Sequence, residues 1–230
     1  MSKQEISAVG KLKEIELKIS KARNRIVGYD DDDPISPTLI CVSKNFSADD
    51  VAPVLKAGHR VFGENRVQEA QSKWPALKQQ YNNVILHLIG PLQTNKVRDA
   101  IRLFDVIESV DREKLAKKLR AEMDLAGKDL PCFVQVNIGQ EEQKAGIAPE
   151  QAIEFVKKCQ NEYGLNIVGL MCIPPFNEAP GPYFAMLAGL AQKANVRYLS
   201  MGMSKDYEVA IMMGATHVRI GTALFGKRDA

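Results

Sequence analysis

Eight short apolar runs, separated by seven helix-length stretches, fill the chain from residue 38 onward, and this alternation limits the fold more than any other feature. The strand-like runs are 38–44, 60–64, 84–91, 104–110, 132–138, 167–173, 196–201 and 217–224; the helical stretches between them are 49–57, 65–80, 95–103, 112–126, 149–162, 181–194 and 206–213. Strands that alternate with helices must run parallel, joined by helical crossovers, and eight such units close most simply into a (β/α)8 TIM-type barrel of the α/β class. An open doubly wound sheet is the competing arrangement. Against it, no G-x-G-x-x-G follows the first strand and no point of strand-order reversal is visible. The 230 residues, 45% hydrophobic and 26% charged, suit one large core, and no repeat or low-complexity stretch divides them, so a single domain over 1–230 is expected.

Ahead of the first strand, Ala8, Leu12, Ile15, Ile19, Ala22 and Ile26 recur at steps of four and three. That spacing predicts an additional N-terminal amphipathic helix that packs on the barrel or a partner. Asp30 to Asp33 and Pro34 then read as a solvated linker, because they lack the alternating ligands and glycine of a calcium loop. Ser47, ahead of Asp49 and Asp50, and Asp111 are expected helix starts.

The 31 basic and 28 acidic residues are spread along the chain, so the net charge of +3 implies no nucleic-acid surface. No apolar run approaches the roughly 20 residues of a membrane span. The N-terminal stretch mixes Glu with Lys and shows no apolar signal core, which predicts a cytoplasmic protein. Cys41, Cys132, Cys159 and Cys172 have no paired spacing and are expected as buried thiols, and His59, His87 and His217 have no metal-ligand spacing. His87 is expected as a hydrogen-bonded core residue, and Trp74 and the methionines as packing residues.

In a parallel barrel, functional groups gather where strands exit at their C-terminal ends. Lys44 ends the apolar run Leu39-Ile40-Cys41-Val42-Ser43, where desolvation favours the neutral amine that condenses with an aldehyde; the alternative is a lysine that merely caps the strand. After the last two strands, Gly202 and Gly221 with Ser200, Ser204 and Thr222 offer the backbone N–H groups and hydroxyls of a phosphate clamp, or else ordinary turns. Arg219 has three readings: toward the phosphate, toward the ring nitrogen of a bound pyridine, or in a structural ion pair.

Several segments together resemble the YggS/PROSC family of pyridoxal-phosphate homeostasis proteins: Val42-Ser43-Lys44, Phe62-Gly63-Glu64-Asn65-Arg66-Val67-Gln68-Glu69, His87-Leu88-Ile89-Gly90-Pro91-Leu92-Gln93-Thr94-Asn95-Lys96, Gly169-Leu170-Met171, Leu199-Ser200-Met201-Gly202-Met203-Ser204-Lys205-Asp206 and Val218-Arg219-Ile220-Gly221-Thr222. The match runs in order from about residue 38 to 226. The resemblance implies a barrel like the N-terminal domain of alanine racemase, with pyridoxal 5′-phosphate as a Schiff base on Lys44. It further implies phosphate held by Ser200, Gly221 and Thr222, Asn65 near the ring, and Arg219 facing the ring nitrogen or the phosphate. Asn45-Phe46-Ser47 departs from the Thr-Lys-Pro-like run of many relatives, and Leu86 and Leu88 replace an aromatic pair around His87.

The expected role is intracellular homeostasis of the cofactor, as carrier and buffer without efficient catalysis. A guanidinium at the ring nitrogen leaves the pyridine unprotonated and a weaker electron sink. The resembling racemases also take a second acid/base from another domain and subunit. A slow racemase-like enzyme is the alternative, and a Schiff-base aldolase on a sugar phosphate a third reading. Expected partners are the cofactor and apo forms of pyridoxal-phosphate enzymes, with no nucleic acid and no membrane, and the chain itself a monomer or weak dimer.

Overall fold

In the computed structural model, which describes residues 3–25 and 36–226, eight parallel strands pair each with the next. They are β1 (Thr38–Val42), β2 (Val61–Glu64), β3 (Ile85–Leu88), β4 (Val106–Val110), β5 (Cys132–Val136), β6 (Ile167–Cys172), β7 (Tyr198–Met203) and β8 (His217–Ile220). β8 pairs back onto β1 in the register Thr38 to His217 through Cys41 to Ile220, which closes the barrel and rules out the open sheet.

The crossover helices are α2 (Ala48–Lys56), α3 (Val67–Gln80), α4 (Val97–Leu103), α5 (Glu113–Ala126), α6 (Ala152–Asn161), α7 (Gly181–Ala194) and α8 (Tyr207–Met212); α9 (Thr222–Phe225) follows β8. Local chemistry sets several ends. Ser47 caps α2 through a reciprocal capping box with Asp50, satisfying donors that a helix start leaves open. Asn195 closes α7 in the left-handed region, at φ 55°. Asp111 does not cap α5; Arg112 stands at its start without a side-chain cap bond.

The N-terminal helix α1 (Lys3–Arg23) lies against α8, α2 and α9. Leu12, Ile15, Ile19 and Ala22 of its apolar stripe are buried, and Ala8 packs beside them. Ile26 and the acidic linker Asp30 to Pro34 lie outside the described residues. The core has two layers. Between sheet and helices sit Phe62, Trp74, Leu88, Phe104 and Phe184, all fully buried. Inside the barrel, Val106, Phe133 and Met171 form a separate apolar plug. The four cysteines are free and buried. Met186, Met212 and Met213 are exposed, contrary to the expectation that the methionines pack.

Several boundaries also differ from the expectation: the run 84–91 pairs only over Ile85–Leu88 and the run 132–138 only over Cys132–Val136. The last run, 217–224, is one strand in sequence terms, but pairing with β1 stops at Ile220 and the chain turns into α9. The seventh strand extends past 201 to Met203. Gly202 at φ +90° permits this, since a Cβ there would lie 2.5 Å from the Ala210 Cβ.

Candidate functional site

The C-terminal ends of the strands open into a cavity of about 1230 Å³ lined by Lys44, Asn65, Arg219, Gly221 and Thr222. This exceeds the roughly 300–1,000 Å³ of an ordinary small-molecule site, so the mouth is roomy and open. Val42, Ile89, Ile173 and Met203 give it apolar walls. Residues 177 positions apart, Lys44 after β1 and Gly221 after β8, therefore converge because each follows a strand of one closed barrel.

Lys44 is exposed at this mouth, so the desolvation expected at the end of β1 is not found. Its turn is nevertheless well defined: Phe46 N donates to Ser43 O at 3.1 Å, and Asn45 between them takes φ 64°, the left-handed conformation that Asn tolerates. Asn65 is half-buried after β2. The β3 exit presses on its backbone: a Cβ on Gly90 would lie 2.3 Å from Asn65 O, so only glycine fits at that point.

Arg219 is 4% exposed, reaching the cavity from inside the barrel. Its Nη1 donates to Ser200 Oγ at 2.7 Å and its Nη2 to Cys172 O at 2.7 Å. Ser200 Oγ in turn donates to Glu108 Oε2 at 2.6 Å, and His87 Nδ1 lies 2.7 Å from Glu108 Oε1. β4 and β7 are not neighbours in the sheet, so the Ser200 to Glu108 bond crosses the lumen. Burial pushes the Glu108 carboxyl up, but the hydrogen bond and charge of His87, with the charges of Arg219 and His217, hold it below the usual carboxylate range. Burial drives His217 down from 6.5 to about 4, aided by the charges of His87 and Arg219.

The structure thus brings together Lys44, Asn65, Arg219, Gly221 and Thr222, and separates two of the expected residues from them. Ser200 is fully buried, and its hydroxyl is occupied between Arg219 and Glu108, because its side chain takes the lumen face of β7. Gly202 is buried against Tyr207 and Ala210 and packs β7 onto α8. Ser204, which lines the cavity, accepts a 3.3 Å hydrogen bond from Ala223 N and ties the loops after β7 and β8 together. Among the described residues, Arg219 reaches a carboxylate through Ser200 and not by a direct ion pair.

Sequence reasoning missed Lys144, Lys205 and Phe176 at the rim. Lys144 is held by Glu141 and donates to Pro174 O at 3.0 Å, and Lys205 Nζ lies 4.3 Å from the centre of the exposed Phe176 ring. Glu108 was also missed, although a carboxylate in the middle of the run Val106-Ile107-Glu108-Ser109-Val110 marks a polar group turned into the barrel. Among the described residues, no helix is long and apolar enough to cross a membrane.

Residues 33–229 match the family model of the alanine racemase N-terminal domain. A pyridoxal phosphate homeostasis protein of Vibrio cholerae is 39% identical over 204 residues, covering 84% of this chain and 86% of that one. The human protein of the same name is 38% identical over 218 residues, covering 85% and 78%. Among solved structures, PipY of Synechococcus elongatus with PLP bound superposes with a TM-score of 0.77 at 35% identity, covering 92% of this chain and all of the other.

Proposed function

This chain belongs to the pyridoxal phosphate homeostasis protein family, built on the alanine racemase N-terminal domain, and on that premise we propose that it binds pyridoxal 5′-phosphate at the barrel mouth through Lys44 and serves in homeostasis of the cofactor as a carrier. The observation that carries this reading is the convergence of Lys44, Asn65, Arg219, Gly221 and Thr222 on one cavity.

The donor set fits the group. When bound, the cofactor supplies an aldehyde that condenses with an amine and a ring that withdraws electrons. Lys44 offers the amine. Gly221, Thr222 and Ser204 offer backbone and hydroxyl donors suited to a phosphate dianion, with Ser204 in the place first expected for Ser200. Val42 and Met203 offer apolar surface to a ring, and Asn65 a polar edge. Arg219 carries five N–H donors and no acceptor, so toward a ring nitrogen it acts as a donor and leaves that nitrogen unprotonated. Ser200 and Cys172 O hold it in place.

A carrier is favoured over an efficient enzyme by the same geometry. The cavity is wide and Lys44 is exposed, which suits exchange with other proteins and shields a reactive species poorly. Apo forms of pyridoxal-phosphate enzymes are the partners this reading implies. The test is to load the protein, remove free cofactor, and add an apo-enzyme in one arm and amino acids in deuterated water in the other. The carrier reading expects the apo-enzyme to regain activity and α-proton exchange to stay near the rate of free cofactor. Exchange far above that rate, without transfer, would assign the slow racemase-like activity instead.

A further inference from the structure

The turn that carries Lys44 is gripped from behind by side chains of β2 and α3 that do not line the cavity. Lys73 Nζ donates to Ser43 O at 2.6 Å and to Phe46 O at 2.8 Å, so both ends of the turn hang on one ammonium group. Lys73 is 6% exposed, and its counterion is the fully buried Glu64, at 2.8 Å. The same Glu64 oxygen accepts from Ser43 Oγ at 2.6 Å and Trp74 Nε1 at 2.9 Å. Glu69, which also pairs with Lys73 at 3.5 Å, accepts from Asn45 N. Every residue of the turn except Lys44 itself is therefore tied down by a side chain from the β2–α3 unit.

A buried ion pair is an expensive way to fill this space. Taking both charges from water costs several kcal/mol per ion, and apolar residues of similar volume are often at least as stabilising. Here the cost includes Glu64 Oε2, which is buried with no hydrogen-bond partner. Packing alone does not account for the arrangement, whereas the position of Lys44 does. A long lysine side chain on a loose turn spreads over many rotamers and backbone states, and fixing its base raises the effective concentration of the amine at one point in the cavity.

We infer that Lys73, with Glu64 as its counterion, is the positioning residue for covalent cofactor attachment, holding the turn from Ser43 to Phe46 so that the Lys44 amine meets the aldehyde. The inference rests on Lys44 as the attachment site. It predicts a selective effect, because the clamp acts on the lysine while Asn65, Arg219, Gly221 and Thr222 bind ring and phosphate independently of it.

The test compares two ligands that share ring and phosphate: pyridoxal 5′-phosphate, which attaches, and pyridoxine 5′-phosphate, whose hydroxymethyl group cannot. In the double variant Lys73→Met/Glu64→Gln, which removes both charges and keeps the volumes close, affinity for the aldehyde falls about tenfold, the size of one charge-assisted hydrogen bond. Affinity for the alcohol stays within about twofold of wild type. An equal loss for both ligands would make the clamp merely structural, and no loss for either would remove it; each result overturns the inference. Should the double variant fail to fold by circular dichroism, Glu69→Ala carries the test, since this side chain is 25% exposed and its removal releases the Asn45 tie along with the 3.5 Å pair to Lys73. It is expected to weaken the aldehyde alone by about threefold, less than one full hydrogen bond, and unchanged attachment would overturn the inference. A wild-type protein that binds both ligands equally and traps nothing on Lys44 would instead overturn the attachment reading beneath it.

Discussion

Two buried glutamates receive a serine hydroxyl at 2.6 Å and lie near a cation, yet they do opposite work. Glu64 points outward from β2 into the layer below α3, and Lys73 touches it directly at 2.8 Å. Glu108 points into the lumen from β4, and the cation there, Arg219, is separated from it by Ser200. In the outer cluster the carboxylate anchors an ammonium whose other donors grip backbone, so what becomes rigid is a turn. In the inner cluster the serine stands between the charges, so the guanidinium is oriented without being neutralised by contact and keeps N–H groups for the cavity. One fold thus uses the same residue types to fix a chain segment outside the barrel and to present a cation inside it.

The largest effect that tests this contrast is in the outer cluster. Lys73→Met alone leaves Glu64 buried without its cation and is expected to cost about 3–5 kcal/mol of stability in urea unfolding. Adding Glu64→Gln recovers most of that loss; a double variant no more stable than the single one would show that the pair is not a coupled unit.

The inner cluster shows itself through pH. Burial holds His217 neutral down to about 4, whereas in the unfolded chain it titrates near its ordinary 6.5. Between those values the unfolded chain binds a proton that the folded chain does not, so stability falls as pH drops through this window and levels off below it. The loss reaches at most about 3 kcal/mol by pH 4, and His217→Asn flattens it. Glu108, held low, adds stability that is present above the ordinary carboxylate range and disappears as pH falls further through its own lowered value. Denaturant midpoints at several pH values read both, and a profile for His217→Asn as steep as wild type would contradict the assignment.

A smaller effect is expected from Ser200→Ala, which leaves Arg219 Nη1 and Glu108 Oε2 each short of a partner. It should cost about 1–3 kcal/mol while Lys44 still attaches cofactor. If the variant instead lost phosphate affinity alone, Ser200 would belong on the phosphate after all. The smallest is Ser47→Ala, close to the Lys44 turn but outside the clamp. Losing its capping box costs about 1 kcal/mol and leaves attachment unchanged.

The barrel was legible because each strand is an apolar run bounded by turn residues, and because a two-layer core demands helices between parallel strands. Where one apolar run spans two elements the pattern fails: residues 217–224 read as one strand because nothing in hydrophobicity marks Ile220 as the last residue that β1 can pair. The mouth was legible through Lys44, Gly221 and Thr222, which lie at strand exits whatever the side-chain direction. The Ser200 contacts were not legible, because they depend on which face of β7 it takes and on Glu108, three strands away. Lys73 gave no signal, since a lysine on a charged helix is normally solvated; only the closed structure brings β1 and α3 close enough to bury it.

Among the described residues three lysines line the cavity, Lys44, Lys144 and Lys205, and the proposed attachment is to Lys44. The direct measurement is to load the protein with pyridoxal 5′-phosphate, reduce with borohydride and map the modified peptide by mass. The expected result is a pyridoxyl group on Lys44, absent from Lys44→Ala. Modification that falls mainly on Lys144 or Lys205, or that persists at the same level in Lys44→Ala, would contradict it.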